Sequence, residues 1–530
     1  MKKYLQRILS LFLIFSLILP LAACSDGTGA ALRYDISTVI TNLDPQYADG
    51  EDAKMVIRNV FEGLFCYDEE GKAVPAAAES YGISADGLVY TFQLREGMHW
   101  SDEAQTPITA NDFEFALKRL YNRDYQSPFA DDFLCLKNAQ AILGGSMPPS
   151  ALGVKATGTY TLEITLEYPA PQLPELLCST AAMPCNEVFF TETKGRYGLS
   201  ADMLLYNGPF YVRLWEPEEY IQLRKSDDYR APQETYPARV TLSVTDGQEH
   251  LRRFQSGKTD AAVLSYDELQ QLRTQQINYE QFEDTVWVMV FNQRVPFLEN
   301  RNARKALAGA VNHAAFAPLL GNDLIDSATF LPPSLTIYSE SYRKLAGFTR
   351  EGSYRPKEAK ESWARALQEA GEPPVLTLLT AEGSSHPMTA GAVQKSWRDD
   401  LALVVNMEQH PLDELSALVQ DGQYQIAILP MRPASSRPEE MLADFRSGSG
   451  RNLAGYQSKT YDALLERAEK ARGKEELLAA CKEAEELLYQ DAVLVPLYYQ
   501  TSYYVTPKKV SGIYFSPFAG EISFQKAVKK

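Results

Sequence analysis

Histidine is scarce in this chain: five in 530 residues, His99, His250, His313, His386 and His410. No two of them form a His-Glu-x-x-His pair, and no Gly-x-Ser-x-Gly elbow occurs. Neither a zinc-hydrolase helix nor a serine nucleophile turn is therefore encoded. Ser256-Gly257-Lys258-Thr259 mimics the end of a phosphate loop, but the glycine required five residues before Gly257 is Arg252. Without that glycine the backbone cannot cradle a phosphate, so no nucleotide site is expected. Positive charge is short too: 52 lysines and arginines face 69 acids, for a formal net charge of −17. No basic, aromatic-rich patch offsets this balance, which argues against nucleic acid as a partner. Cysteine spacing matches no zinc motif, and no apolar run after residue 24 approaches the length of a membrane span. No cofactor, metal or enzymatic activity is expected.

What is present begins with residues 1–24. Lys2, Lys3 and Arg7 precede an apolar run over 8–23 broken only by Ser10, Ser16 and Pro20. The run is too short and broken for a span and has the form of a secretory signal. Its end, Leu21-Ala22-Ala23-Cys24, resembles the lipobox of bacterial lipoproteins, in which the cysteine is acylated and becomes the new N-terminus. The alternative is an ordinary signal peptide with a chance cysteine. The lipobox reading puts the mature chain outside the cytoplasmic membrane, anchored in the bilayer by lipid, at a cell surface or in a periplasm. Residues 25–30 then form a flexible tether. Loss of the leader takes the net charge from −17 to −20. It also leaves Cys66, Cys135, Cys178, Cys185 and Cys481, an odd number. Cys178 and Cys185 are close enough to pair, but buried free thiols are the favoured reading.

The chain after residue 24 is too long for one core, and two or three packed units are expected. Strand-like alternation over 88–94 follows a turn at Asp86-Gly87, and a second alternating run covers 160–166. Asn111-Asp112 is expected to cap a helix carrying Phe113, Ala116, Leu117 and Leu120. Near the C-terminus, Gly473 divides two helical patterns, and 493–499 has the composition of a buried strand despite Pro496. Strands scattered through the whole length suit a mixed α/β chain that crosses between lobes.

Several segments, taken in order, resemble one family. They are Leu43-Asp44-Pro45, Asn59-Val60-Phe61-Glu62-Gly63-Leu64, Tyr90-Thr91-Phe92-Gln93-Leu94-Arg95-Glu96-Gly97 with Trp100-Ser101-Asp102, and Ser127-Pro128-Phe129-Ala130. Asn207-Gly208-Pro209-Phe210, Arg304-Lys305-Ala306-Leu307 and Val495-Pro496-Leu497-Tyr498-Tyr499 complete the series. In order and spacing the chain is similar to the bacterial extracellular solute-binding proteins of family 5, the oligopeptide and dipeptide receptors of ABC importers. The resemblance implies a two-lobed α/β fold of the periplasmic-binding-protein kind, with a hinge between lobes and an extra domain inserted in the first. Residues 25–61, 190–283 and 502–530 would form the first lobe, 62–189 the inserted domain and 284–501 the second lobe. It also implies a monomer that closes over an oligopeptide and delivers it to a permease whose separate ATPase subunits consume ATP.

The same resemblance supplies candidate ligand-binding residues. Asp49, Gly50 and Glu51 match the loop that pairs with a peptide backbone as an added strand, Gly50 allowing close approach and Asp49 meeting a cation. An exposed acidic turn is the plainer reading. Phe129 matches a cleft tyrosine without its hydroxyl. His386 falls where some relatives meet the peptide carboxylate, although a lone histidine is more often structural. Tyr498, Tyr499 and Gln500 stand on a lobe-crossing strand, reaching either cleft or core. The departure lies at 429–434. Relatives that hold a peptide amino terminus place Trp, Cys and Asp there; here Met431 and Arg432 precede Ala434 at the aspartate position. A buried ammonium without its carboxylate is costly, so another acid must replace it or the ligand lacks that group. Arg432 could clasp a carboxylate or phosphate, or lie solvated on a proline-bent loop. The alternatives are therefore a non-peptide cargo such as a metal chelate or sugar, and a surface lipoprotein that senses peptides without transport.

Overall fold

The computed structural model describes residues 29–530 apart from 69–70, 126, 247–248, 321–323, 328, 339, 348–353, 384, 472 and 519. The signal segment and Cys24 lie outside the described residues.

Three larger sheets organise the chain. The first sets Ala31–Ile36 parallel to Arg239–Val244, with Tyr220–Lys225 and Phe210–Glu216 added antiparallel. The second is an antiparallel sheet in the order Ala78–Ile83, Val89–Leu94, Thr161–Thr165, Val154–Gly158. Both alternating runs expected from sequence lie in it. In Val89–Leu94, Tyr90, Phe92 and Leu94 are buried while Thr91 is exposed, the alternation of a sheet covered on one face. The third sheet is larger and mixed. Its order is Ala262–Leu264, Leu494–Pro507, Ile277–Phe291, Ile426–Met431, Thr377–Ala381, Asn406–His410, with Leu324–Asp326 also paired to Leu494–Pro507.

Buried apolar side chains fall into two main cores. One runs from Leu32 to Ala261 and includes Tyr504 to Ala527 of the tail; the other runs from Val286 to Tyr499. Ile277–Phe291 and Leu494–Pro507 pair antiparallel along nearly their full length and pass from one core to the other. The pairing slips between Glu283 and Thr285 and again between Trp287 and Val288. Pro496 sits beside this second irregularity, opposite Val288. A proline, lacking an N–H, is tolerated inside a sheet where the ladder is already interrupted. The strand expected over 493–499 is thus the first half of a 14-residue crossing strand.

Two local expectations change. The helix Ala110–Arg119 has Thr109 as its N-cap, and Asn111 is an exposed helical residue. Asp112 belongs to the cap from the third helical position: its carboxylate accepts from the Thr109 N–H at 2.7 Å and hydroxyl at 3.0 Å. The two C-terminal helices, Lys459–Glu469 and Lys474–Gln490, divide as expected, with Gly473 as the second N-cap. All five cysteines after residue 24 are free thiols; Cys66 is half-buried and the others are buried. Burial pushes the Cys135 and Cys185 thiols up to about 12, which keeps them protonated and unreactive.

Several motifs of the family resemblance are structural joints. Asn207 Oδ1 accepts from the Glu62 N–H at 3.0 Å and its amide donates to the Glu62 carbonyl at 2.8 Å. Gly208 passes so close that a Cβ would stand 2.5 Å from the Val60 carbonyl carbon, so only glycine fits. Arg119 grips Asp44 with two guanidinium nitrogens, and Arg304 donates to the carbonyls of Leu298, Glu299, Asp491 and Ala492.

Candidate ligand-binding cleft

The crossing strands bring charged and aromatic side chains to the junction of the two cores. At their first irregularity Asp284, 1% exposed, accepts from the Ser502 hydroxyl at 2.9 Å and the Tyr504 hydroxyl at 3.2 Å. Arg432, arriving after the strand Ile426–Met431, places Nη2 3.2 Å from Asp284 Oδ2 and Nη1 3.1 Å from Glu51 Oε2. It also donates to the Tyr504 hydroxyl and to the Ser516 and Pro517 carbonyls. Burial raises the Asp284 pKa, and Arg432 works against that rise. Arg432 is thus largely enclosed, its guanidinium engaged by acceptors of the first core, the tail and the crossing strands.

A few residues along the same strands, Trp287 stacks on His386 with ring centroids 3.9 Å apart at 22°. His386 Nδ1 is 2.8 Å from the Tyr498 hydroxyl, and Trp287 Nε1 donates to Gln500 Oε1 at 2.7 Å. Burial lowers the His386 pKa to about 4, which leaves the ring neutral at pH 7. Tyr498 and Tyr499 both belong to the second core. The Tyr499 hydroxyl lies 2.9 Å from the carbonyls of Thr329 and Leu331.

Of the loop residues, Asp49, Gly50 and Glu51 are exposed, and Gly50 is the N-cap of the helix Glu51–Val60. A Cβ on Gly50 would meet nothing within 4 Å, so no close contact in this structure demands glycine there. Met431 is half-buried opposite Val286. Phe129 and Ala434 are brought together on the wall of a narrow cavity of about 60 Å³. That cavity lies between the two cores and is rich in charge. Lys54 Nζ stands 5.2 Å from the Phe129 ring centroid, within cation–π range. Arg58 pairs with Glu521, Arg451 with Asp132 at 2.6 Å, and Arg437 with Glu440 at 3.0 Å. The Asp132–Arg451 and Glu51–Arg432 pairs each span the cleft. Burial pushes Glu521 up to about 7 against the pull of Arg58 and Lys54.

Sequence reasoning missed Lys54, Arg58, Asp132, Arg437, Glu440 and Arg451. A charge on a helix is ordinarily solvated, so nothing marked these alone. A usable signal was position: Asp132 is three residues beyond Phe129 and Arg437 three beyond Ala434, both on segments already singled out.

The profile of the bacterial extracellular solute-binding proteins, family 5 (middle region), matches residues 72–452. The chain belongs to that family. Among curated family-5 relatives, the oligopeptide-binding protein OppA of Bacillus subtilis is 26% identical over 553 residues, covering 99% of each chain. Among solved structures, peptide-bound OppA of Listeria monocytogenes superposes with a TM-score of 0.83 at 25% identity, covering 95% of this chain and 99% of that one. The unliganded open form of the murein tripeptide-binding protein MppA gives 0.63 at 23% identity, covering 95% and 98%. The fold is therefore the two-lobed α/β fold of periplasmic binding proteins, with the family-5 cleft lying between the lobes.

Proposed function

We propose that this chain is the extracytoplasmic receptor of an ABC importer, capturing oligopeptides by lobe closure and handing them to a permease served by separate ATPase subunits. Its division would follow the two cores: residues 25–61, 190–283 and 502–530 in the first lobe, 62–189 inserted, and 284–501 in the second. Lipid on Cys24 would hold the receptor to the cell membrane. The observation that carries the reading is the charged cavity between lobes already in contact, in a fold shared with peptide-bound receptors. A ligand touching both walls favours the closed state by its differential contacts, and the closed shape is what a permease can recognise. No covalent step is needed.

Within this reading Phe129 offers a stacking face, and Asp49, Gly50, Glu51 and Met431 would meet the ligand outside the cavity that Phe129 lines. Arg432 joins the lobes, while His386, Tyr498, Tyr499 and Gln500 brace the crossing strands with Trp287. Ala434 favours a second reading, a non-peptide solute, because it removes the acid that would pair a peptide amino terminus. Native mass spectrometry of the chain lacking residues 1–24 separates the two readings, since both cores lie after residue 30. A ladder of co-purified peptide masses is expected. One discrete non-peptide mass would move the cargo away from peptides.

A further inference from the structure

A second, narrow cavity of about 40 Å³ opens beside the first and shares Asp132, Leu176, Arg437 and Glu440 with it. Its walls come from both sides of the cleft: the short helical turns Ala130–Phe133 and Leu173–Leu176, and the helix Pro438–Ala443 of the second lobe. Asp131, Asp132, Glu439, Glu440 and Glu469 line it, against Arg437 as the one lining cation among the described residues.

Pairing does not balance these acids. Arg437 is shared by Glu440 at 3.0 Å and Glu439 at 3.7 Å. Arg451 is shared by Asp132 at 2.6 Å and Asp444 at 3.1 Å, and Arg446 serves Glu469. Lys470, 5.6 Å from the Tyr168 ring centroid on the cavity wall, pairs with Glu466, which is not a lining residue. Three guanidiniums thus serve five carboxylates and Asp131 adds a sixth, with Lys54 acting on Glu440 and Asp444 and Lys470 on Glu469 at longer range. Glu439 is 9% exposed and lines the cavity, and its solvent-shielded Oε2, like Arg437 Nε, has no hydrogen-bond partner among the described residues. Burial raises the pKa of Asp132 and Glu439 and pushes Asp444 up to about 6 and Glu469 up to about 7, whereas at Glu440 burial is outweighed by Arg437 and the Ser435 hydroxyl, which lower its pKa. Surplus buried negative charge is costly until a proton or a cation neutralises it. No group of His, Cys, Asp and Glu among the described residues is placed to hold a metal ion. Leu134, Cys135 and Leu176 add apolar wall suited to a methylene stem.

We propose that this cavity is a subsite for a basic group, the ammonium or guanidinium of a ligand side chain, received by the Glu439 carboxylate on one wall and by Asp131 and Asp132 on the other. The receptor therefore favours ligands with a lysine- or arginine-like side chain. This inference rests on the receptor reading and specifies the class of ligand.

The test uses the chain lacking residues 1–24 and isothermal titration. The ligands are alanine tripeptides with lysine at each position in turn, their Nε-acetyl-lysine counterparts, and agmatine, a small guanidinium-bearing amine. At one position at least, lysine should bind ten-fold or more tighter than acetyl-lysine. Glu439→Gln, checked for folding by its thermal melt, should collapse that ratio. Asp131→Asn, at a half-buried position, should reduce it independently. Neutral tripeptides bound without any preference for lysine would overturn the subsite and leave the peptide reading standing. Agmatine bound, and lost in Glu439→Gln, with no tripeptide bound would uphold the subsite and sink the peptide reading. Binding of none of them would sink both.

Discussion

Arg432 shows how a single residue's meaning depends on what faces it. From sequence it was a candidate clasp for an anionic ligand; in the fold it joins Glu51 of the first lobe to Asp284 on a crossing strand. Removing the guanidinium leaves Asp284, 1% exposed, with hydroxyl donors but no ion-pair partner. Breaking a buried pair from one side costs about 3 kcal/mol or more, most of it from the abandoned charge. Arg432→Met is therefore expected to lower unfolding stability by about 3 kcal/mol in a denaturant titration. Adding Asp284→Asn should recover part of that loss, because the abandoned charge is then gone. Equal losses in the single and double variants would show that the pair contributes nothing beyond packing.

At the scale of elements, the short cap before Ala110–Arg119 illustrates what local pattern can and cannot specify. The helix and its buried face, Phe113, Ala116 and Leu117, were legible from spacing. Its start was displaced by two residues, because Asn111, Asp112 and Thr109 are all acceptable caps and only the three-dimensional turn selects among them. Thr109→Ala should cost about 1 kcal/mol in a thermal or denaturant melt, and Asn111→Ala, at an exposed helical position, less than about 0.5 kcal/mol. The reverse order would place the cap where sequence first suggested. The crossing strand Leu494–Pro507 teaches a similar lesson. Pro496 marked an interruption in the sequence, yet the partner irregularity at Trp287 and Val288, which makes the proline tolerable, is more than two hundred residues away.

For the whole molecule, the proposed receptor mechanism predicts that lobe closure is coupled to protonation. Asp444, Glu469 and Glu521 have pKa values raised by burial to about 6, 7 and 7, against ordinary values of 3.8 for Asp and 4.5 for Glu. Groups raised in the closed form bind more protons there than when solvated in an open cleft, so closure is favoured as pH falls through 7 toward 4.5 and disfavoured as it rises. Small-angle scattering of the ligand-free chain should give a smaller radius of gyration at pH 5.5 than at pH 8, and Glu469→Gln should reduce the difference. A radius independent of pH would refute the coupling. His386 acts on stability in the opposite sense. Its pKa is depressed from 6.5 to about 4, so the stability it contributes is present above 6.5 and is lost as pH falls toward 4. Much of this protein was determined by the chain's linear order. The family, the α/β class, the elements over 88–94 and 160–166 and the division at Gly473 rest on local periodicity, turn residues and motifs that bind neighbouring segments, as Asn207 and Gly208 bind 60–62. Tertiary structure alone decided the character of the cleft. Asp132, Glu439, Glu440 and Arg451 read as ordinary surface charges in the sequence, and only the fold gathers residues three hundred positions apart out of the same water.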